Sequence, residues 1–109
     1  MKLEEGMYVR TDIGEITKIV DRNMFDKTLY KDVQGAKYYL EEIEKASHNI
    51  INLIEVGDYV NGSKVKYICN AYIELDHYGD DFINHYESEK IKSIVTKEQF
   101  ESMSYRVEE

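Results

Sequence analysis

The sequence predicts a mainly β fold made of two repeated units, with a single mixed α+β domain as the alternative. Ten tyrosines, three phenylalanines and many Ile and Val residues favour pleated, half-buried strands. Proline is absent, and the six glycines stand singly in turn-forming contexts. One seven-residue phrase also occurs twice, 51 residues apart: Leu3-Glu4-Glu5-Gly6-Met7-Tyr8-Val9 and Ile54-Glu55-Val56-Gly57-Asp58-Tyr59-Val60. Both copies read apolar, Glu, any residue, Gly, any residue, Tyr, Val, which marks an internal duplication.

A glycine just before a Tyr-Val strand suits a turn or bulge where the chain enters a sheet. In the first unit, residues 1–53, strands are expected over 7–10, 15–20, 28–33, 37–40 and 42–46. Asp12-Ile13-Gly14 and Gln34-Gly35 supply turn signals between them. Ser47 is placed to cap a helical turn through 48–53, where Ile50, Ile51 and Leu53 need cover.

In the second unit, residues 54–109, strands are expected over 58–60, 64–68, 71–75, 82–86 and 90–94. Asn61-Gly62 is the strongest turn signal, because that pair readily supplies the positive φ angles of a tight hairpin. Tyr78-Gly79-Asp80 marks a further turn. Thr96-Lys97-Glu98-Gln99 has the form of a capping box, and Phe100 and Met103 then share one face of a short helix. Residues 104–107 are expected to add a last strand.

Aligned with a two-residue gap, Ile16 and Ile19 fall opposite Val65 and Ile68. Further on, the stretch from Tyr39 to Ile43-Glu44-Lys45-Ala46-Ser47 resembles that from Tyr86 to Ile91-Lys92-Ser93. Five short strands, a hairpin and a helical turn in each unit describe a small SH3-like β-barrel. A unit of that size buries only about 60% of its unfolded surface, so residues 50–54 are expected to be a buried seam between the two.

Composition narrows function by exclusion. The chain has 109 residues, 22 acidic against 14 basic, for a net charge of −8. Uninterrupted apolar runs are too short for a transmembrane helix, and the first five residues lack the layout of a signal peptide. A cytoplasmic protein with no membrane partner is the expectation. Cys69 is the single cysteine, which excludes an intrachain disulfide and a cysteine-rich zinc site. It follows Tyr67-Ile68 in an expected strand, where a cysteine behaves as a small hydrophobe.

The sequence has no nucleophile elbow, phosphate-binding loop or dinucleotide fingerprint, so no enzyme, catalytic residue or cofactor is assigned. Asp76, His77, Asp80, Asp81 and His85 fall close together, but their spacing matches no established zinc or calcium pattern. A solvated loop is the better account of them. Nucleic-acid binding is disfavoured, because residues 54–109 carry 12 acids against 6 bases and residues 1–53 carry 10 against 8.

Two stretches resemble small phage and prophage proteins of low-GC Gram-positive bacteria. One is Lys45-Ala46-Ser47-His48-Asn49-Ile50-Ile51-Asn52-Leu53-Ile54-Glu55-Val56-Gly57-Asp58-Tyr59-Val60-Asn61-Gly62. The other is Ile91-Lys92-Ser93-Ile94-Val95-Thr96-Lys97-Glu98-Gln99-Phe100-Glu101-Ser102-Met103. The resemblance implies a mobile-element setting, in which small acidic proteins inhibit host defences, CRISPR nucleases among them. It carries over no site residue.

Charge then gives the sharpest expectation. Residues 74–89 hold six carboxylates and no Lys or Arg. Such a surface imitates nucleic-acid phosphates and attracts a basic groove. The expected function is therefore a non-enzymatic inhibitor of a host defence protein, foremost a CRISPR effector nuclease. The expected contact residues are Glu74, Asp76, His77, Tyr78, Asp80, Asp81, His85, Glu87 and Glu89. The competing readings are a small-molecule or nucleotide sponge, with barrel tyrosines stacking a base, and a structural accessory protein of the phage particle.

Overall fold

A computed structural model describes residues 3–77 and 79–103, with the backbone alone at residues 77, 79 and 80. The chain divides by its internal contacts into two compact units, Met1–Leu53 and Ile54–Glu109. The fold is mainly β, with two five-stranded antiparallel sheets, one of them curled into a half-barrel.

The first unit runs β1 (Tyr8–Thr11), β2 (Ile16–Arg22), β3 (Leu29–Asp32), β4 (Lys37–Tyr39), a 3-10 helix (Leu40–Glu42), β5 (Ile43–Ser47) and a second 3-10 helix (Ile50–Leu53). The second runs β6 (Tyr59–Val60), β7 (Ser63–Ile68), β8 (Tyr72–His77), β9 (Gly79–Asn84), a 3-10 helix (His85–Lys90), β10 (Ile94–Val95) and α1 (Lys97–Met103). Strand orders are β4-β3-β2-β1-β5 and β10-β6-β7-β8-β9. In both units four strands form a meander, and the fifth returns to lie antiparallel beside the first.

The duplicated phrase makes the same turn in each unit. Gly6 and Gly57 sit at φ +85° and +99°, a left-handed region that favours glycine. Met7 N–H donates to the Glu4 carbonyl and Asp58 N–H to the Glu55 carbonyl, at 3.2 and 3.1 Å. Gly6 N–H then reaches the Ile19 carbonyl, and Gly57 N–H the Val65 carbonyl. The leading apolar residues, Leu3 and Ile54, are buried. Glu4 pairs with His48 at 3.0 Å and Glu55 with Lys97 at 2.7 Å, so each glutamate meets a cationic residue, or one that can become cationic, just past the fifth strand.

The correspondence continues beyond the phrase, with a different gap from the one the sequence alignment expected. Ile19, not Ile16, holds the place of Val65, because the β1–β2 connection is longer than the two-residue Asn61-Gly62 turn. Each second strand then breaks register once, between Ile19 and Asp21 and between Val65 and Tyr67. A bulge of this kind bends the strand and raises its local twist. In place of the expected match at Tyr86, Asn84 corresponds to Tyr39. Both are followed by 3-10 helices whose third residue, Glu42 or Glu87, accepts from the cap N–H at 3.2 or 3.1 Å.

Most expected strands are present with shifted ends. The exceptions lie late in the second unit. β8 and β9 form one long hairpin, Tyr86 lies in the 3-10 helix rather than a strand, and the fifth strand shrinks to Ile94–Val95. Asn61 and Gly62 adopt positive φ of 52° and 83°, as a tight hairpin requires. The Asn61 side chain also clamps the segment before β10, donating to the Lys90 carbonyl and accepting from Lys92 and Ser93 N–H. Thr96 and Gln99 bond reciprocally at 3.0 and 3.2 Å, which is the expected capping box. Phe100 stacks on Tyr59 with ring centroids 4.5 Å apart, while Met103 stays exposed. Cys69 lies just after β7, half-buried rather than in a strand. The expected strand over 104–107 lies outside the described residues.

In the first unit, Leu3, Val9, Ile19, Tyr30 and Ile43 form the core, with Met7, Tyr38, Leu40 and Ala46 against it. The Ile50–Leu53 helix packs on β1 and β5, burying Ile51 and Leu53. Asn49 caps it by accepting from Ile51 N–H, and Ser47 accepts from Asn49 N–H. Buried Arg10 donates to the Leu53 carbonyl at 3.0 Å. In the second unit the buried apolar residues are Ile54, Val60, Val65, Ile73, Leu75 and Ile83.

Asp32, 2% exposed, organises the β3–β4 turn by accepting from Thr17 Oγ and from the N–H groups of Gln34 and Ala36. Burial alone would raise its pKa, but the bonds from Thr17, Ala36 and Gln34 outweigh burial and hold it below the usual value.

Two stability predictions follow from this packing. Ile51→Ala should cost about 2–5 kcal/mol in urea unfolding; a change near zero would place Ile51 outside the core. Asp32→Asn should cost about 1–3 kcal/mol at neutral pH. Because the folded pKa is lowered, that stabilisation is complete above the ordinary carboxyl value of about 3.9 and is lost as pH falls through the folded value. The gap between wild type and Asp32→Asn should therefore narrow on acidification, and a pH-independent gap would contradict the assignment.

Candidate binding surface

The acidic stretch spans the β8–β9 hairpin and the 3-10 helix that follows it. Period-two alternation sends Ile73 and Leu75 inward and leaves Tyr72, Glu74 and Asp76 on the outer face. Asp76 is exposed and stands in register with Lys64 on one side and Asp80 on the other. Asp81 is exposed but is the register partner of buried Leu75, so it belongs to the opposite face. Tyr78 lies outside the described residues, as do the side chains of His77 and Asp80.

Among the described carboxylates of the stretch, Glu74 and Glu87 have work inside the unit. Glu74 pairs with Lys66 at 3.3 Å. Glu87 accepts from Asn84 N–H and Nδ2 and also pairs with Lys90. The Lys90 ammonium, then the Asn84 donors, hold the Glu87 carboxyl down at about 2. His85 is half-buried as the first residue of this helix, and its N–H donates to the Ala71 carbonyl. Glu89 is exposed. Among the described side chains, Asp76, Asp81 and Glu89 are thus exposed acids on different parts of the hairpin and helix, not on one plane.

An aromatic strip that the sequence reading did not single out lies on the outer face. Tyr67, Glu74 and Phe82 are successive register partners across β7, β8 and β9. Tyr72, two residues from Glu74 on the same face, sits 6.1 Å from Tyr67 and 5.1 Å edge-on to Phe82. Tyr67 is 49% and Phe82 40% exposed. Partial burial, then Cys69, Tyr67 and Glu74 beside it, push the Tyr72 phenol up from its ordinary value. Alternation in β8 makes Tyr72 and Glu74 legible as neighbours on one face. The bulge that brings Tyr67 level with Glu74 has no sequence signal of its own.

The equivalent row of the first unit has different chemistry: Asp21, Lys31 and Lys37. They line a small cavity of about 70 Å³ with Arg22, Asn23, Leu29 and Tyr30. The loop before β3 is tied by Asn23 and Asp26 side chains to Phe25, Asp26 and Thr28, and it presents Met24 and Phe25 to solvent. Among the described residues no group of three or more His, Cys, Asp or Glu is arranged to hold a metal, and no helix is long and apolar enough to cross a membrane.

No protein-family model, curated protein or solved structure matches the chain.

The Glu87 contacts give a direct titration test. Its carboxyl should titrate near pH 2 by NMR, well below the ordinary glutamate value of about 4.3. Its stabilising contribution should be complete above that ordinary value and lost as pH falls through the folded one. A midpoint near the ordinary value would show that Asn84 and Lys90 do not hold it.

Proposed function

We propose that the chain is a non-enzymatic binding protein, two copies of one SH3-like unit, whose second unit engages a basic protein surface. The observation that carries this reading is the β8–β9 hairpin with its following helix: Asp76 shares a face with the solvent-facing rings of Tyr67 and Phe82, while Asp81 and Glu89 are exposed on other parts of it. Exposed carboxylates steer a basic partner from a distance, and aromatic residues supply the short-range contact. Support for two copies of one unit comes from the common strand order, the two glycine turns and the matching register breaks.

The likeness of residues 45–62 and 91–103 to small phage proteins supplies the setting: a cytoplasmic inhibitor of host defence, foremost of a CRISPR effector nuclease with its basic nucleic-acid channel. A nucleotide sponge fits less well, because the carboxylates beside the aromatic strip repel phosphates.

Plaque formation on bacteria immunised by a CRISPR nuclease tests this. Expression of the chain should restore plaquing. The triple variant Asp76→Lys, Asp81→Lys, Glu89→Lys should fold normally, since surface changes usually move stability by only about 0.5 kcal/mol each. It should nevertheless lose the inhibition. A folded triple variant with full inhibition would reduce these acids to a solubility role, and a wild-type chain inert against every nuclease type would remove the CRISPR reading.

A further inference from the structure

We infer that the outer face of β7–β9 is an arginine-reading site, with Glu74 at its centre and Tyr67, Tyr72 and Phe82 around it. The inference rests on the reading of the second unit as a binding face for a basic protein and names the side chain that face takes.

Three observations define the site. The register row Tyr67, Glu74, Phe82 places a carboxylate between two half-exposed rings, and Tyr72 closes a third side through its contacts with both. On the fourth side Asp76 lies two residues along the same strand and face, exposed to solvent. Among the described residues one cation, Lys66, pairs with Glu74; the lysine side chain is 42% and the glutamate side chain 20% exposed. The lysine end of the pair is thus open to water, and an ion pair at the surface is weak enough for a partner's cation to displace Lys66.

A guanidinium matches this arrangement better than an ammonium. It is planar and weakly hydrated, it stacks on aromatic faces, and it binds a carboxylate through two parallel N–H groups. Tyr67 and Phe82 flank Glu74 in the register row and offer the guanidinium aromatic surface on both sides, and Asp76, opposite Lys64, adds a second carboxylate on the same face. The corresponding row in the first unit, Asp21, Lys31 and Lys37, has neither rings nor a central acid. The occupant is thus an arginine-bearing segment of a basic partner protein, bound by the second unit alone.

Titration of the full-length chain with a short peptide of alternating Arg and Gly, followed by NMR, tests the site. The resonances of Tyr67, Tyr72 and Phe82 should move together, and a Lys-Gly peptide of equal charge should bind more weakly. Phe82→Ala, or Tyr67→Ala should the first variant not fold, should weaken the Arg peptide about fivefold, as loss of one cation–π contact implies. Glu74→Gln should weaken it at least as much. Equal binding of Arg and Lys peptides, or full binding by folded ring variants, would overturn the inference. If the triple Lys variant still abolishes inhibition in that case, the acidic-face reading stands without the arginine site; if inhibition survives both sets of changes, the broader reading falls as well.

Discussion

In each unit the first strand must hold two partners at once, the second strand on one side and the fifth on the other. Everything else hangs on how the chain enters that strand. The Glu-x-Gly turn solves it locally: a glycine at positive φ reverses the backbone, its N–H ties to the second strand, and the glutamate reaches a residue one or two places past the fifth. In the second unit the first strand is only Tyr59–Val60, so these bonds, the Asn61 clamp and buried Asp58, which accepts from Lys97 N–H, carry much of its closure. Of the two variable positions in the duplicated phrase, Glu5 and Val56 face solvent, whereas Met7 Sδ and Asp58 Oδ2 accept from the glutamate N–H inside the turn.

Once the framework is tied in this way, the outward rows are released from structural duty. The same register row carries Asp21, Lys31 and Lys37 in one unit and Tyr67, Glu74 and Phe82 in the other. Neither set is needed to close its sheet, because the inward residues Ile19 and Tyr30, or Val65 and Ile73, do that. Such a division lets two sheets of like strand order present opposite charge chemistry within 109 residues. It also explains why net charge alone misleads about the surface: Glu74 and Glu87 count toward the acidic stretch, yet each answers a lysine in its own unit.

Strands were legible wherever alternation and turn chemistry agreed, as at Asn61-Gly62 and through Thr96–Gln99, where local hydrogen bonds decide the conformation. The 3-10 helices at Leu40–Glu42 and His85–Lys90 were not, because one or two such turns have no period to read and their caps, Tyr39 and Asn84, resemble the end of a strand. Tyr86 therefore passed for a strand residue. The register breaks after Ile19 and Val65 were equally hidden, since a bulge leaves composition unchanged while shifting every later side chain by one place. For the candidate site, the acids were visible as a charge run, whereas the aromatic strip depends on pairing between three strands.

The short helix Ile50–Leu53 has a kinetic consequence. Its two flanking strands, β5 and β6, are neighbours in sequence, and the loop joining β5 to its true partner β1 is roughly three times longer, a handicap of about 1 kcal/mol in closure entropy. By loop length alone, β5 would pair more cheaply with β6 than with β1. Asn49 and Ser47 caps turn the chain aside directly after β5, and the burial of Ile51 and Leu53 against β1 and β5 rewards the slower closure. In loop-closure terms the helix weights the balance toward the long-range pairing of β5 with β1, because its buried side chains are satisfied only when those two strands lie side by side.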